Sequence, residues 1–235
     1  MTYSFESPWP KFANGNGGSL VRKEWLSGNS GASAWCASRT IEGTPGNPAQ
    51  LDPGPVIINE ILAHTDLPLE DAIELMNLTE EDISLGDWFL SDSITEPKKY
   101  RIPNGFSVSP KDFIVFYQQQ FGEPFNPLVP FSFNSAKGDA VYLFQTDAQG
   151  KIIRLADSLV FPPTENGVSF GRYPDGASDL VNLELPTFGA GVNANDSPLA
   201  IHLFRKGKGA PNSRPLIGPV IVNSFEPSPS ADEQQ

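Results

Sequence analysis

The sequence predicts an all-β fold, an antiparallel sandwich of two packed sheets. Three observations carry that expectation. Pro (23) and Gly (21) together exceed average usage in 235 residues, no long window keeps a 3.6-residue apolar period, and short apolar runs recur between clusters of turn residues. With 39% hydrophobic residues the chain can bury a sizeable core.

Taken in order, the apolar runs predict strands over Val56–Leu62, Ala72–Asn77, 83–90, 99–102, Phe113–Tyr117, 140–145, 151–159 and 168–173. In the second, Glu74 sits between Ile73 and Leu75 and is expected to alternate outward into solvent. The third centres on Trp88, whose large ring is the kind of anchor a sandwich core closes around. In the fifth, Phe113 and Val115 share one face and Ile114 and Phe116 the other, which predicts cover on both sides. Thr146-Asp147-Ala148-Gln149-Gly150 reads as a hairpin turn, with Gly150 supplying a positive φ. The Pro-rich stretch 122–130 reads as a loop crossing between sheets; the aromatic stretch Phe113, Phe116, Tyr117, Phe121, Phe125, Phe131 and Phe133 reads as core packing, with an exposed ligand or partner patch around Phe121 to Phe133 as the alternative.

An internal echo organises the chain. Asn16-Gly17-Gly18-Ser19-Leu20-Val21-Arg22 returns as Asn166-Gly167-Val168-Ser169-Phe170-Gly171-Arg172, and Gly43-Thr44-Pro45-Gly46-Asn47 more loosely as Pro186-Thr187-Phe188-Gly189-Ala190. Gly54-Pro55-Val56-Ile57-Ile58-Asn59 returns as Gly218-Pro219-Val220-Ile221-Val222-Asn223. Each unit thus opens with the GPVI strand and closes with the N-G-x-S-x-x-R strand. The expected organisation is a C-terminal remnant of a preceding unit at 1–50, a full domain at 55–195, a basic linker at 196–217, and at 218–235 the first strand of a following unit or a disordered tail. Residues 1–50 cannot close a sandwich alone, so they should pack on the full domain or be poorly ordered. The strand at 220–225 should pair with an available edge or promote self-association.

The order of these signposts resembles the lamin tail domain, an immunoglobulin-like sandwich of nuclear lamins and of bacterial secreted or surface proteins. The resemblance rests on Val56-Ile57-Ile58-Asn59-Glu60-Ile61, Ala72-Ile73-Glu74-Leu75-Met76-Asn77, Leu85-Gly86-Asp87-Trp88-Phe89-Leu90-Ser91-Asp92, Gly138-Asp139-Ala140-Val141-Tyr142-Leu143, Ser169-Phe170-Gly171-Arg172-Tyr173-Pro174-Asp175-Gly176 and the Thr187 to Gly191 exit. The segment Ser7 to Asn47 is similar to the closing stretch that follows such domains in multidomain bacterial proteins. The resemblance implies an immunoglobulin-like antiparallel β-sandwich with no shared catalytic residues and no cofactor. Absent coiled-coil heptads and an acidic balance set the chain apart from nuclear lamins and argue against filament assembly and DNA contact.

Charge narrows the partners. The formal net charge is -12, and between Thr40 and Pro97 there is no Lys or Arg while ten carboxylates fall between Glu60 and Asp92. Phosphate backbones are repelled by such a surface. The short run Arg205, Lys206, Lys208 and Arg214 reads as a solvated linker, so no nucleic acid is expected. Cys36 is the single cysteine, which excludes an internal disulfide. No eighteen apolar residues run together and the first residues lack a signal-peptide pattern, so no membrane insertion is expected.

Chemistry-bearing patterns are few. Gly167-Val168-Ser169-Phe170-Gly171 fits a nucleophile elbow, but Pro174 and Gly176 break the helix that an elbow needs, and His202 follows in a short apolar run. The loop Asp66 to Asp71 is acidic enough for calcium yet lacks a D-x-D-x-D-G pattern, and His64, His202 and Cys36 are too few for zinc. Asn77-Leu78-Thr79 fits a glycosylation acceptor. No catalytic, cofactor-binding or metal residue is therefore expected. The expected function is a non-catalytic structural or interaction module of a secreted or cell-surface protein, binding protein or polysaccharide. An accessory domain of a larger extracellular hydrolase or nuclease is the alternative.

Overall fold

Short strands dominate because β-branched and aromatic residues cluster in runs of two to ten between Gly, Pro, Asn and Asp. The computed structural model describes residues 4, 6–23, 31–45, 51–66, 69–122, 128–188 and 209–218. In chain order the strands are β1 (Leu20–Arg22), β2 (Trp35–Ala37), β3 (Val56–Leu62), β4 (Ala72–Asn77), β5 (Ile83–Ser84), β6 (Phe89–Ser91), β7 (Tyr100–Arg101), β8 (Ser107–Val108), β9 (Phe113–Tyr117), β10 (Asp139–Thr146), β11 (Ile152–Phe161), β12 (Phe170–Arg172) and β13 (Leu180–Asn182). A single helical turn, α1 (Gln118–Phe121), follows β9.

Two antiparallel sheets form the sandwich, one in the order β11-β10-β6-β7 and the other β13-β12-β3-β4-β9. Period-2 alternation sends every second side chain inward. Ile58, Ile61, Ile73, Leu75 and Phe116 from one sheet meet Leu90, Val141, Leu143 and Leu159 from the other, with Trp88 among them at 4% exposure. The expected immunoglobulin-like antiparallel β-sandwich is the observed fold, and the indole is its anchor.

One strand differs from expectation. The run 83–90 is split, because Asp87 takes a positive φ of 70° and the Trp88 N–H closes a turn on the Leu85 carbonyl at 3.0 Å. Its halves therefore lie in different pairings, β5 with β8 and β6 with β10 and β7. The aromatic stretch packs into the core as its first reading expects, and the alternative of an exposed patch is the one set aside. Phe121, Phe131 and Phe133 are 0%, 5% and 9% exposed, and Phe121 stacks on Phe131 with ring centroids 4.7 Å apart. They plug one end of the core and offer no partner patch, while residues 123–127 of the expected crossing loop lie outside the described residues.

Both broad outer faces are covered by the chain's own flanks. Phe89, Phe144 and Leu155, the outward residues of the first sheet, are buried under Phe12, with Ala37 and Ile41 packed alongside. The same flank extends the β11 edge, where Ile41 N–H bonds Ile153 O at 2.9 Å and Leu155 N–H bonds Arg39 O at 2.8 Å. On the opposite face Leu62, Ala72, Val115 and Tyr117 are buried under Phe188. Residues 209–216 continue that cover and join β13, where Leu216 N–H donates to Asn182 O at 2.8 Å. The double-sided burial expected of Phe113–Tyr117 follows directly.

Candidate interaction surface

The expected solvated face of Glu74 is the main correction. Period-2 alternation does turn Glu60 and Glu74 to the outside of the second sheet, where they are direct cross-strand partners. Yet both are fully buried, because the strand-to-strand face is roofed by Thr187 and by residues 209–213. Gly209 passes so close that a Cβ there would collide with the Glu74 carboxyl. Glu70 and Asp71 are turned inward too, at 9% and 7% exposure.

This buried site is assembled around a bulge. The β3–β4 register slips between Ile58 and Glu60, which leaves Asn59 free to aim its side chain at the roof. Asn59 Nδ2 donates to Glu74 Oε1 at 3.0 Å and to Asp175 Oδ1 at 2.9 Å. Thr187 donates from both its N–H and its hydroxyl to the Glu60 carboxyl. Asn212, reaching back from the roof, donates to Asn59 O at 3.2 Å and Arg172 O at 2.7 Å, and its N–H to Asp175 Oδ1 at 2.9 Å.

Burial in this apolar setting pushes the Glu60 carboxyl up to about 7 against the opposing pull of the Ser169 and Thr187 donors. Glu74 is raised well above its ordinary value, first by burial and next by the charge of Glu60. Two neighbouring buried carboxyls favour the protonated form over two charges. The arrangement holds a strap of chain in place.

A second buried network joins the sheets. Asp157 on β11 accepts from Ile58 N–H at 3.0 Å and from Arg172 Nη2 at 2.8 Å, and Arg39 approaches it at 3.5 Å. Arg172 also donates to Ile58 O and Ala177 O. The repeated N-G-x-S-x-x-R motif thus ends in an arginine that clamps β12 to β3 and to the facing sheet.

The remaining expected candidates are dispersed. Ser169 is fully buried with Glu60 as its electrostatic neighbour, and His202 lies outside the described residues. His64 Nδ1 is engaged with Thr164 O at 2.9 Å. Cys36, half-buried on β2, directs its thiol to Val21 O at 3.6 Å. In the acidic loop Asp66 accepts from Asn166 at 2.6 Å, Glu70 from Gln119 N–H at 2.7 Å and Asp71 from Thr65 at 3.3 Å, with residues 67 and 68 outside the described set. Among the described residues no three His, Cys, Asp or Glu side chains gather in a way that would hold a metal ion, and no helix is long and apolar enough to cross a membrane. The Asn77 amide is buried and donates to Glu81 O, Val108 O and Ser109 O, so it is spent on the fold and presents no glycan acceptor. Of the basic run, Arg214 pairs with Glu184 at 2.6 and 2.9 Å, and 205–208 lie outside the described residues.

One open concavity among the described residues is a shallow groove of about 620 Å³. It runs between the N-terminal flank and the β6 and β10–β11 edge, lined by Lys11, Asp92, Ile94, Lys137, Asp139, Tyr142 and Val160. Val160 is 65% exposed. Tyr142 leans on Phe144 with centroids 6.3 Å apart, and burial together with the nearby Asp139 and Asp92 charges raises its phenol. An apolar floor ringed by charges of both signs suits reversible contact with another surface. Sequence reading passed over it because its walls come from four separate segments.

Comparison with protein families matches residues 49–159 to the Lamin Tail Domain. No curated protein and no solved structure matches. The family match ends inside β11, whereas the second sheet is completed by β12 and β13.

Proposed function

We propose, from the premise that this chain carries a lamin tail domain, that it is a non-catalytic structural and interaction module of a secreted or cell-surface multidomain protein. Lamin tail domains are immunoglobulin-like interaction modules, not enzymes. In this reading the module binds a protein or polysaccharide at the groove around Tyr142 and Val160. The single observation that carries it is the covering of both broad faces by the chain's own flanks, which leaves edges and this groove for recognition. The acidic balance disfavours nucleic acid, and the bacterial form of the resemblance supports a secreted or surface setting.

The test is amide NMR during titration with cell-wall polysaccharide fragments and with candidate protein partners. Shifts clustered at Ile94, Tyr142 and Val160, lost in Tyr142→Ala, with ligand recovered at unchanged mass, are the expected result. Cleaved ligand, with cleavage abolished by Ser169→Ala, would replace this reading with an enzymatic one.

A further inference from the structure

The family match begins at residue 49, so the segment that extends the β11 edge, Ser38 to Ile41, lies outside the domain on which it is seated. The seat is a short antiparallel ladder. Thr40 stands opposite Arg154, and on either side of that pair Leu155 N–H donates to Arg39 O at 2.8 Å and Ile41 N–H to Ile153 O at 2.9 Å. Main-chain bonds of this kind give affinity to any extended segment, and selectivity comes from the side chains that accompany them.

Two side chains supply it. Ile41 packs against the outward cluster of Phe89, Phe144 and Leu155. Arg39 Nε donates to Leu51 O at 3.0 Å and Nη1 to Ala156 O at 3.2 Å, and the same Nη1 lies 3.5 Å from Asp157 Oδ1. That oxygen marks the seat as a site. The Asp157 side chain is 1% exposed, its Oδ2 is taken by Ile58 and Arg172, and its buried Oδ1 accepts no hydrogen bond from the domain. A carboxylate oxygen held at that depth is costly without a facing cation, and here a guanidinium from outside the domain faces it.

The arginine is not a requirement of its own hairpin. Ser38 N–H donates to Ser19 O as Leu183 N–H does to Ser169 O, which aligns Arg39 with Glu184 in the echoed hairpin. At that position an acid pairs outward with Arg214. Arg39 therefore answers to the seat and not to the strand it follows.

We infer that the β11 edge, with Asp157 behind it, is a strand-addition site for an extended protein segment carrying Arg and, two positions on, Ile or a similar apolar residue, and that residues 38–41 hold the site occupied in cis. A polysaccharide lacks the alternating N–H and C=O groups that the edge requires. A segment tethered by a short linker acts at an effective concentration of about a millimolar, so an outside peptide gains entry when the cis copy is weakened. The inference is independent of the Tyr142 groove.

The probe is a fluorescein-labelled peptide of residues 37–45 added to the full chain. Arg39→Ala with Ile41→Pro in the chain removes the guanidinium and one ladder donor of the cis segment and leaves every residue of the domain in place. By fluorescence anisotropy this opened chain should bind the peptide about tenfold or more tighter than the unsubstituted chain does. Arg39→Ala in the peptide should weaken that binding about tenfold or more. Arg39→Ala alone in the chain should give a smaller gain of the same sign, which keeps the test if the double variant fails to fold. Register is read by disulfide trapping in a Cys36→Ser background. A peptide with Thr40→Cys should couple to Arg154→Cys, a non-hydrogen-bonded pair with Cα atoms about 4.5 Å apart. The yield should be about tenfold higher than with Ile153→Cys, whose side chain falls on the other face. Equal affinity of the opened and unsubstituted chains, equal affinity of the two peptides, or equal trapping at 153 and 154 would each overturn the inference.

Discussion

Replacing both roofed carboxylates with amides, Glu60→Gln with Glu74→Gln, should remove about 3 kcal/mol of the stability lost as pH rises from about 4.5 to 8. Glu60 titrates near 7 in the folded protein against an ordinary 4.5. A raised acid binds its proton more tightly when folded, so its contribution is complete below about pH 4.5 and is lost as pH climbs through about 7. That rise corresponds to about 3 kcal/mol, undiminished by solvent screening because the group is fully buried. Glu74 shifts in the same direction and carries the decline to higher pH. Urea denaturation followed by tryptophan fluorescence between pH 4.5 and 8 is the assay. Asp71, pushed up to about 6 by burial, titrates within that window in both proteins, so the difference between them removes it. The parent should lose about 3 kcal/mol more than the double variant across the window, the two agreeing within about 1 kcal/mol at pH 4.5. A double variant that declines as steeply as the parent would refute the buried-acid argument.

Three further outcomes are expected. Asp157→Ala strands Arg172 between the sheets and should cost about 3–5 kcal/mol by thermal or urea unfolding, whereas Arg214→Ala, which breaks only an exposed pair with Glu184, should change stability by less than about 0.5 kcal/mol. Gly209→Ala drives a methyl into the Glu74 carboxyl and should lift the roof at a cost of about 1–3 kcal/mol, read as faster amide exchange at Glu60 and Glu74 while the Leu143 amide stays protected. Phe12→Ala removes the plug over Phe144, which it meets at 6.4 Å between ring centroids. It should cost about 3 kcal/mol and open residues 6–23 to limited proteolysis ahead of the sandwich.

The fold was legible where local pattern decides it. Val56–Leu62, Ala72–Asn77 and Phe113–Tyr117 begin and end as their alternation and flanking turn residues indicate. The 146–150 turn closes as its composition suggests, with Gly150 at φ 73°. Strand 83–90 was misread because Gly86-Asp87 was counted as interior, although Gly within a strand pattern is a break signal. Strands as short as β8 and β13 carry too few side chains to show a period. Glu74 illustrates the harder limit. Alternation placed it on the correct face, but whether that face meets water depends on Gly209 and Asn212, well over a hundred residues away, and no local pattern encodes that contact. The Tyr142 groove was hidden for the same reason.

The flanks seated at the β11 and β13 edges also decide how the molecule would respond to being pulled. Tension applied between the two ends enters through a few backbone bonds at Arg39 and Ile41 and leaves through those at Arg214 and Leu216. Neither route crosses the Trp88 interior. Under load the borders should therefore yield first, as a fuse that lengthens the chain while the apolar layer between the two sheets stays shut and able to recapture them when the force falls.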